Sequence, residues 1–317
     1  VDGGIYRWRV KASDGVSGSD VWSSFCEMQV YTTDVPVTGC VGGTDSDFNG
    51  DGIADIASAD PEATVEGKDK AGHIRLVYGG GAGTVETLHE GNSQVSGAVG
   101  VGDQFGYSVS AYDANNDPYR PAGAATDQAD SLVVVGAPGE DITVEESNTV
   151  VADAGLVQRF HVTADVTATE PPALTQAPED GAYLGEEVAV VNTESASDGT
   201  NDTMFLAVGA PGADAGDVLD AGRVLVIPAL ADPIGTPTTI QRDAASLPGS
   251  AVTQELIGVS LGATAQQLYV GTPYRDPAVY GFAWSSLADG VTSSSTTWQP
   301  GQGGIPSDGT AFGAAIG

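Results

Sequence analysis

The sequence predicts an all-β repeat protein, and three observations predict it. Glycine and proline are abundant, 44 and 17 of 317 residues, and they punctuate short runs rich in Val, Ala, Leu and Tyr, as strands joined by tight turns require. That composition does not suit long helices. Three short sequence words also recur in a fixed order along most of the chain.

Residues 1–36 come first and differ in kind. Ile5-Tyr6-Arg7-Trp8-Arg9-Val10 and Phe25-Cys26-Glu27-Met28-Gln29-Val30-Tyr31 alternate in character and flank an Asp14-Gly15 turn, which predicts a β-hairpin. With the closing Thr32-Thr33-Asp34-Val35-Pro36, the pattern resembles the last two strands of a fibronectin type III or immunoglobulin-like β-sandwich of secreted bacterial proteins. One hairpin buries too little to fold alone. Its partner strands are expected either before Val1 or in the rest of the chain, the second arrangement allowing a Cys26 to Cys40 bond.

From there the repeated words take over. The first is a strand end followed by a Pro turn: Ala57-Ser58-Ala59-Asp60-Pro61, Val135-Gly136-Ala137-Pro138, Val208-Gly209-Ala210-Pro211 and Val270-Gly271-Thr272-Pro273. The prolines are spaced by 138−61 = 77, 211−138 = 73 and 273−211 = 62 residues, a loose period that fits units with variable surface insertions. A second word precedes each later Pro turn: Phe105-Gly106-Tyr107-Ser108-Val109, Leu184-Gly185-Glu186-Glu187-Val188 and Ile257-Gly258-Val259-Ser260-Leu261, with Phe312-Gly313-Ala314-Ala315-Ile316 opening a fifth unit. The third word follows the Pro turns, in Ala71-Gly72-His73-Ile74, Ala154-Gly155-Leu156-Val157 and Ala221-Gly222-Arg223-Val224, and is reduced to Ala278-Val279-Tyr280-Gly281-Phe282 in the fourth unit. Each word reads as one strand bounded by Gly or Pro. Units of short strands that cannot bury their faces alone fit a β-propeller.

These words resemble FG-GAP repeats, the units of the integrin alpha headpiece and of many secreted bacterial proteins, and the resemblance covers roughly residues 40–317. It implies that residues 37–317 form an FG-GAP β-propeller with the second word near the central axis and a calcium loop between it and the first word. It also implies seven blades in the intact protein, of which four units and the start of a fifth lie in this sequence. The function it implies is a secreted or cell-surface adhesion, binding or assembly module for a protein or glycan in the extracellular matrix. The alternatives are an accessory propeller of a larger secreted hydrolase or toxin, and a structural subunit of an extracellular fibre that self-assembles.

The sharpest local signal is Asp47-Phe48-Asn49-Gly50-Asp51-Gly52-Ile53-Ala54-Asp55. Oxygen side chains at alternate positions of a Gly-punctuated turn converge on one point, as a hard cation with six to eight oxygen ligands requires. Asp47, Asn49, Asp51 and Asp55 would supply side chains and Ile53 its carbonyl. Without a cation the three carboxylates repel one another, and the plain alternative is a turn whose carboxylates bond nearby amides. An EF-hand is excluded, since the twelfth position counted from Asp47 is Ser58 and from Asp45 is Ile56. A second set is Asp113, Asn115, Asp117 and Asp130, interrupted by an insertion at 118–129, and a third keeps only Asp198 and Asp202. The fourth unit has no carboxylate between Ser260 and Gln267, so no calcium is expected there.

Acidic residues outnumber basic ones 43 to 11, a formal charge of −32 that repels a phosphate backbone and excludes nucleic acid as the natural partner. Cations are favoured, although charge of this kind also serves simply to keep a protein soluble. No apolar run approaches the length of a membrane span. Cys26 and Cys40 have no CxxC or His partner at metal spacing, which leaves one disulfide in an oxidising compartment or two free thiols.

Signals for catalysis are few. Gly258-Val259-Ser260-Leu261-Gly262 matches a nucleophile-elbow pattern but aligns with a repeat strand, and His73, His89 and His161 share no metal spacing. The run Gly79-Gly80-Gly81-Ala82-Gly83 lacks the Lys of a phosphate loop. Trp284, Trp298, Tyr274 and Tyr280 either fill a sheet core or stack on sugars. The expectation is a non-enzymatic module whose insertions at 139–153, 164–181 and 229–254 are free to meet a partner.

Overall fold

The computed structural model describes residues 4–8, 26–30, 48, 55–79, 85–93, 95–113, 130–144, 147–163, 168–169, 177–193, 204–228, 237–242, 246–307 and 311–316. Near the N-terminus, β1 (Gly4–Trp8) pairs antiparallel with β2 (Cys26–Val30), Trp8 opposite Cys26, as the alternating pattern predicts. Cys40 lies outside the described residues, and the disulfide expectation with it.

Four further units follow. The first is a three-stranded sheet of β3 (Ile56–Asp60), β4 (His73–Val77) and β5 (Val85–Leu88). The second contains β6 (Ser108–Asp113) and β7 (Asp130–Ala137), then a separate hairpin of β8 (Ile142–Val144) and β9 (Thr149–Val151), then β10 (Leu156–Thr163) and β11 (Ala168–Thr169). The third is β12 (Val188–Asn192), β13 (Met204–Ala210), β14 (Arg223–Pro228) and β15 (Thr238–Ile240). The fourth is β16 (Leu261–Ala263), β17 (Gln267–Thr272), β18 (Ala278–Ala283), the short helix α1 (Trp284–Ala288) and β19 (Thr296–Trp298). In units two to four the sheet order is the chain order and every pairing is antiparallel, which makes each a meander. Among the described residues no helix is long and apolar enough to cross a membrane.

The sheets face one another in chain order because successive side chains of a strand point to opposite faces, and both faces of the middle sheets are apolar. Leu206, Val208, Leu225 and Ile227 of unit three join Leu132, Val134 and Val157 of unit two in one core. On the reverse face, Phe205, Ala207, Val224, Val226 and Ile240 meet Leu268, Val270, Tyr280 and Phe282 of unit four. A third core joins Ile74, Leu76 and Leu88 of unit one to Phe105, Val133, Val135 and Phe160 of unit two. Strand β13 is buried at all seven positions, as a strand covered on both faces must be.

The recurring words are the clasps between units. The third word of one unit forms a parallel bridge to the second word of the next, at Gly72 with Phe105, Gly155 with Leu184 and Gly222 with Ile257. At each clasp the second-word amide donates to the alanine carbonyl of the third word, Phe105 N–H to Ala71 O at 2.9 Å, Leu184 to Ala154 at 3.1 Å and Ile257 to Ala221 at 3.1 Å. One strict geometric repeat thus explains two of the three words.

Position two after the second-word glycine is Ser108 in unit two and Ser260 in unit four, both buried, but Glu187 in unit three. Burial, with Glu186 beside it, pushes the Glu187 carboxyl up to about 7. A carboxyl bound more tightly to its proton when folded stabilises the fold fully at acid pH. That contribution fades as the pH rises from about 4.5, the unfolded value, through about 7. Urea melts at pH 5 and pH 8 are expected to show a stability loss at the higher pH that Glu187→Gln reduces.

Candidate metal centre

Three carboxylates that no local motif unites come together at the junction of units one and two. Glu90 lies two residues after β5, Asp103 two residues before the second word of unit two, and Glu140 two residues after Pro138 of the turn that follows β7. One oxygen from each lies within 4.8 Å of the others. Ligands on opposite sides of a calcium ion stand about 4.8 Å apart, twice an ordinary calcium–oxygen distance, so this spacing fits a shared cation. Glu90 and Asp103 are buried at 5% and 3% exposure, and Glu140 is half-buried.

The backbone fixes two of the three positions. Gly139 N–H donates to Asp103 O at 3.2 Å and Gly155 N–H to Glu140 O at 3.0 Å, which ties the Asp103 and Glu140 segments to each other and to the start of β10. Gly100 N–H donates to Asp103 Oδ2. A Cβ at Gly100 would stand 2.4 Å from Asp103 Oδ1, so the absence of a side chain there lets the loop close over the carboxylate.

The electrostatics favour a positive guest. Burial raises the Asp103 carboxyl, and burial followed by the Asp103 and Asp141 charges raises that of Glu140. Three carboxylates in a low-dielectric junction either share protons or, if all three ionise, need a cation among them.

The junction of units three and four has the same architecture and a different charge solution. Leu88 opposite Ile74 corresponds to Ile240 opposite Val224, each pair starting two residues after the third-word glycine, so Glu90 corresponds to Arg242. Asp103 and Glu255 each stand three residues before the second-word glycine, and Glu140 and Arg275 two residues after the Pro of the turn. Arg242 is buried and donates to Glu255 Oε1 at 2.9 Å from Nε, to Pro248 O at 2.6 Å and to Tyr280 Oη at 3.2 Å from Nη1. Where the later junction carries Arg, Glu and Arg, the earlier one carries Glu, Asp and Glu.

Sequence reasoning missed this site because its members are 103−90 = 13 and 140−103 = 37 residues apart. Superposing the repeat words, and asking which acids fall at fixed offsets from them, is the signal that finds it.

Of the expected loop at 47–55, Asp47, Asn49, Asp51 and Ile53 lie outside the described residues. Asp55 is 3% exposed, and its carboxylate accepts from Phe48 N–H at 2.7 Å and from Gly79 N–H at 2.8 Å, so it ties Phe48 to Gly79, two residues after β4. Asn115 and Asp117 also lie outside, but the register sets Asp113 opposite Ser131, next to Asp130. Asp198 and Asp202 fall outside the described residues, in the connection from β12 to β13. In unit four the corresponding connection is a tight turn in which Gln267 N–H donates to Thr264 Oγ1 at 3.2 Å.

The aromatic candidates divide. Trp284 stacks on Phe205 at 5.4 Å and donates its indole N–H to Thr264 O at 2.8 Å, and Tyr280 is buried. Tyr274 and Trp298 are exposed at 53% and 36%. No protein-family model matches this chain, and no curated protein matches it.

Proposed function

We propose that the chain is an extracellular, calcium-binding β-propeller module of the FG-GAP kind that serves in adhesion, binding or assembly rather than in catalysis. The observation that carries the reading is the convergence of Glu90, Asp103 and Glu140 at a junction whose counterpart holds a buried arginine. The cation at this junction does for units one and two what the Arg242 guanidinium does for units three and four. All-oxygen ligands drawn from two separate connections favour calcium over magnesium, which demands near-ideal octahedral geometry. The Asp47, Asn49, Asp51, Ile53 and Asp55 loop supplies a second calcium position, and residues 1–36 are the end of a preceding β-sandwich.

Thermal melts of the chain in chelator and in calcium test this. At free calcium about a hundredfold above the dissociation constant, binding to the folded state adds about 2.7 kcal/mol, a rise in Tm on the order of 5 °C. Asp103→Asn is expected to lose a large part of that rise and Asp47→Asn the remainder. Glu90→Arg, which copies the later junction, is expected to raise the Tm in chelator and shrink the calcium response. A wild-type Tm indifferent to calcium would falsify the reading.

A further inference from the structure

Gln158, on β10, lies at the same junction as Glu90, Asp103 and Glu140, and only one end of its amide is used. The residue is 1% exposed, and its Nε2 donates to Ser96 O at 2.6 Å. A carbonyl only accepts, so the amide cannot turn over and its oxygen is the end left for another partner. Among the described residues, that Oε1 is buried and accepts no hydrogen bond. A bare amide oxygen in the interior is unfavourable, and a cation beside it removes the penalty. The amide is anchored close to the carboxylates: a Cβ on Gly97, the residue after Ser96, would stand 3.0 Å from Glu90 Oε1.

The arginine junction shows what this position meets. Gln158 is opposite Val135 and Tyr280 opposite Val270, each of these valines three residues before the proline of its turn, so Tyr280 is the counterpart of Gln158. Ser96 and Pro248 correspond as well, each ten residues before the second-word glycine, as Glu90 and Arg242 each stand sixteen before it. At the later junction the Arg242 guanidinium meets Glu255, Pro248 O and Tyr280 Oη. Their counterparts are Asp103, Ser96 O and Gln158, so the groups that meet the positive charge in one junction recur beside the acidic cluster in the other. The junction of units two and three completes the series. There Leu225, opposite Val208, holds the position, and Ala182 and Ala213 replace Asp103 and Glu140. Where the junction lacks these charges the position is apolar, and where it has them the position carries an oxygen.

We propose that Gln158 is a fourth protein ligand of the junction cation, giving its Oε1 beside the carboxylates of Glu90, Asp103 and Glu140. This rests on the metal-binding reading of the junction and names a ligand that the acidic cluster alone does not contain. Three carboxylates, each able to give one or both oxygens, and one amide oxygen reach the about six to eight oxygens that calcium takes. The amide adds an oxygen without adding a fourth charge to repel the other three.

Calorimetric titration of calcium into the chain, with Asp47→Asn in place to silence the 47–55 loop, tests the assignment. Gln158→Leu in that parent copies unit three, so the fold has a precedent for it. The variant should bind calcium at least about tenfold more weakly, as loss of even a ligand's supporting partner produces. Its Tm in chelator should stay at or above that of the parent, since a bare buried oxygen is gone. Europium(III) in place of calcium gives a second readout, because luminescence lifetimes in light and heavy water count the waters on the ion. The variant should carry about one water more than the parent, in the place of Oε1. A variant that binds calcium as the parent does, with the same water count, overturns the proposal. So does one whose Tm falls equally in chelator and in calcium, which is the mark of a packing role. Asp103→Asn separates this from the wider reading: if it abolishes binding while Gln158→Leu does not, the metal site stands and the Gln158 ligand falls. A parent that takes up no calcium at this junction overturns both.

Discussion

Gly222→Ala is expected to cost on the order of 3–5 kcal/mol, at the upper end of what single substitutions do. Gly222 sits at φ +78, in the left-handed region, and a Cβ there would stand 2.2 Å from Ile257 N and 2.4 Å from Ile257 O. Neither atom is the end of a flexible side chain. To make room, the backbone of unit four must move away from that of unit three, which breaks the bonds from Ile257 N–H to Ala221 O and from Leu256 N–H to Asp220 O. The same contact also holds Phe205 and Val224 against Leu268 and Tyr280, so the apolar core opens with it. Gly216→Ala is the matched control. Gly216 lies in the same connection at φ +64 with nothing near its missing Cβ, and its substitution should cost only the backbone strain of about 1–2 kcal/mol. Urea midpoints of the two variants measure the difference. A Gly222→Ala protein as stable as Gly216→Ala would mean that the clasp is looser than the geometry requires.

That contrast also explains which parts of the fold the sequence makes legible. The repeat words stand out because each is a backbone constraint that few residues satisfy. The third-word glycines at φ +84, +81 and +78 are such cases, and their regular recurrence betrays the unit. The apolar alternation between them gives the strands and the all-β class. What the words do not carry is anything assembled between units. The Glu90, Asp103 and Glu140 site draws on two units, and offsets from the words become meaningful only when the junction exists in space. The hairpin β8–β9 was legible only as an insertion at 139–153, since its strands are short and largely exposed. Helix α1 escaped for a related reason: its two buried residues, Trp284 and Leu287, are too few to show a helical period. Asp55 reads equally well from sequence as a calcium ligand and as an acceptor of backbone amides, and the structure gives it the amides of Phe48 and Gly79. An anionic oxygen with two lone pairs has room for both roles.

The second large effect is expected at the arginine junction. Arg242 and Glu255 are 7% and 1% exposed, and the guanidinium lies 5.7 Å from the Tyr280 ring centre. Glu255 takes bonds from Nε and Nη2 on a single oxygen, while its Oε2 is buried without a hydrogen-bond partner. Arg242→Met therefore leaves a carboxylate in the core with no counter-charge, and the loss should be about 3–5 kcal/mol. Arg242→Met with Glu255→Leu removes both charges and should recover most of that loss, because desolvating an ion pair cancels much of what its attraction returns. Urea melts of the two single variants and the double variant give the coupling energy between the residues. A pair that is only an accident of the fold would show additive losses. Strong coupling means instead that a carboxylate buried at a unit junction has to be neutralised; the junction of units two and three avoids the need with Ala182 in the place of Glu255. By that rule the acidic junction of units one and two, which has glutamate in place of arginine, has to obtain its positive charge from solution.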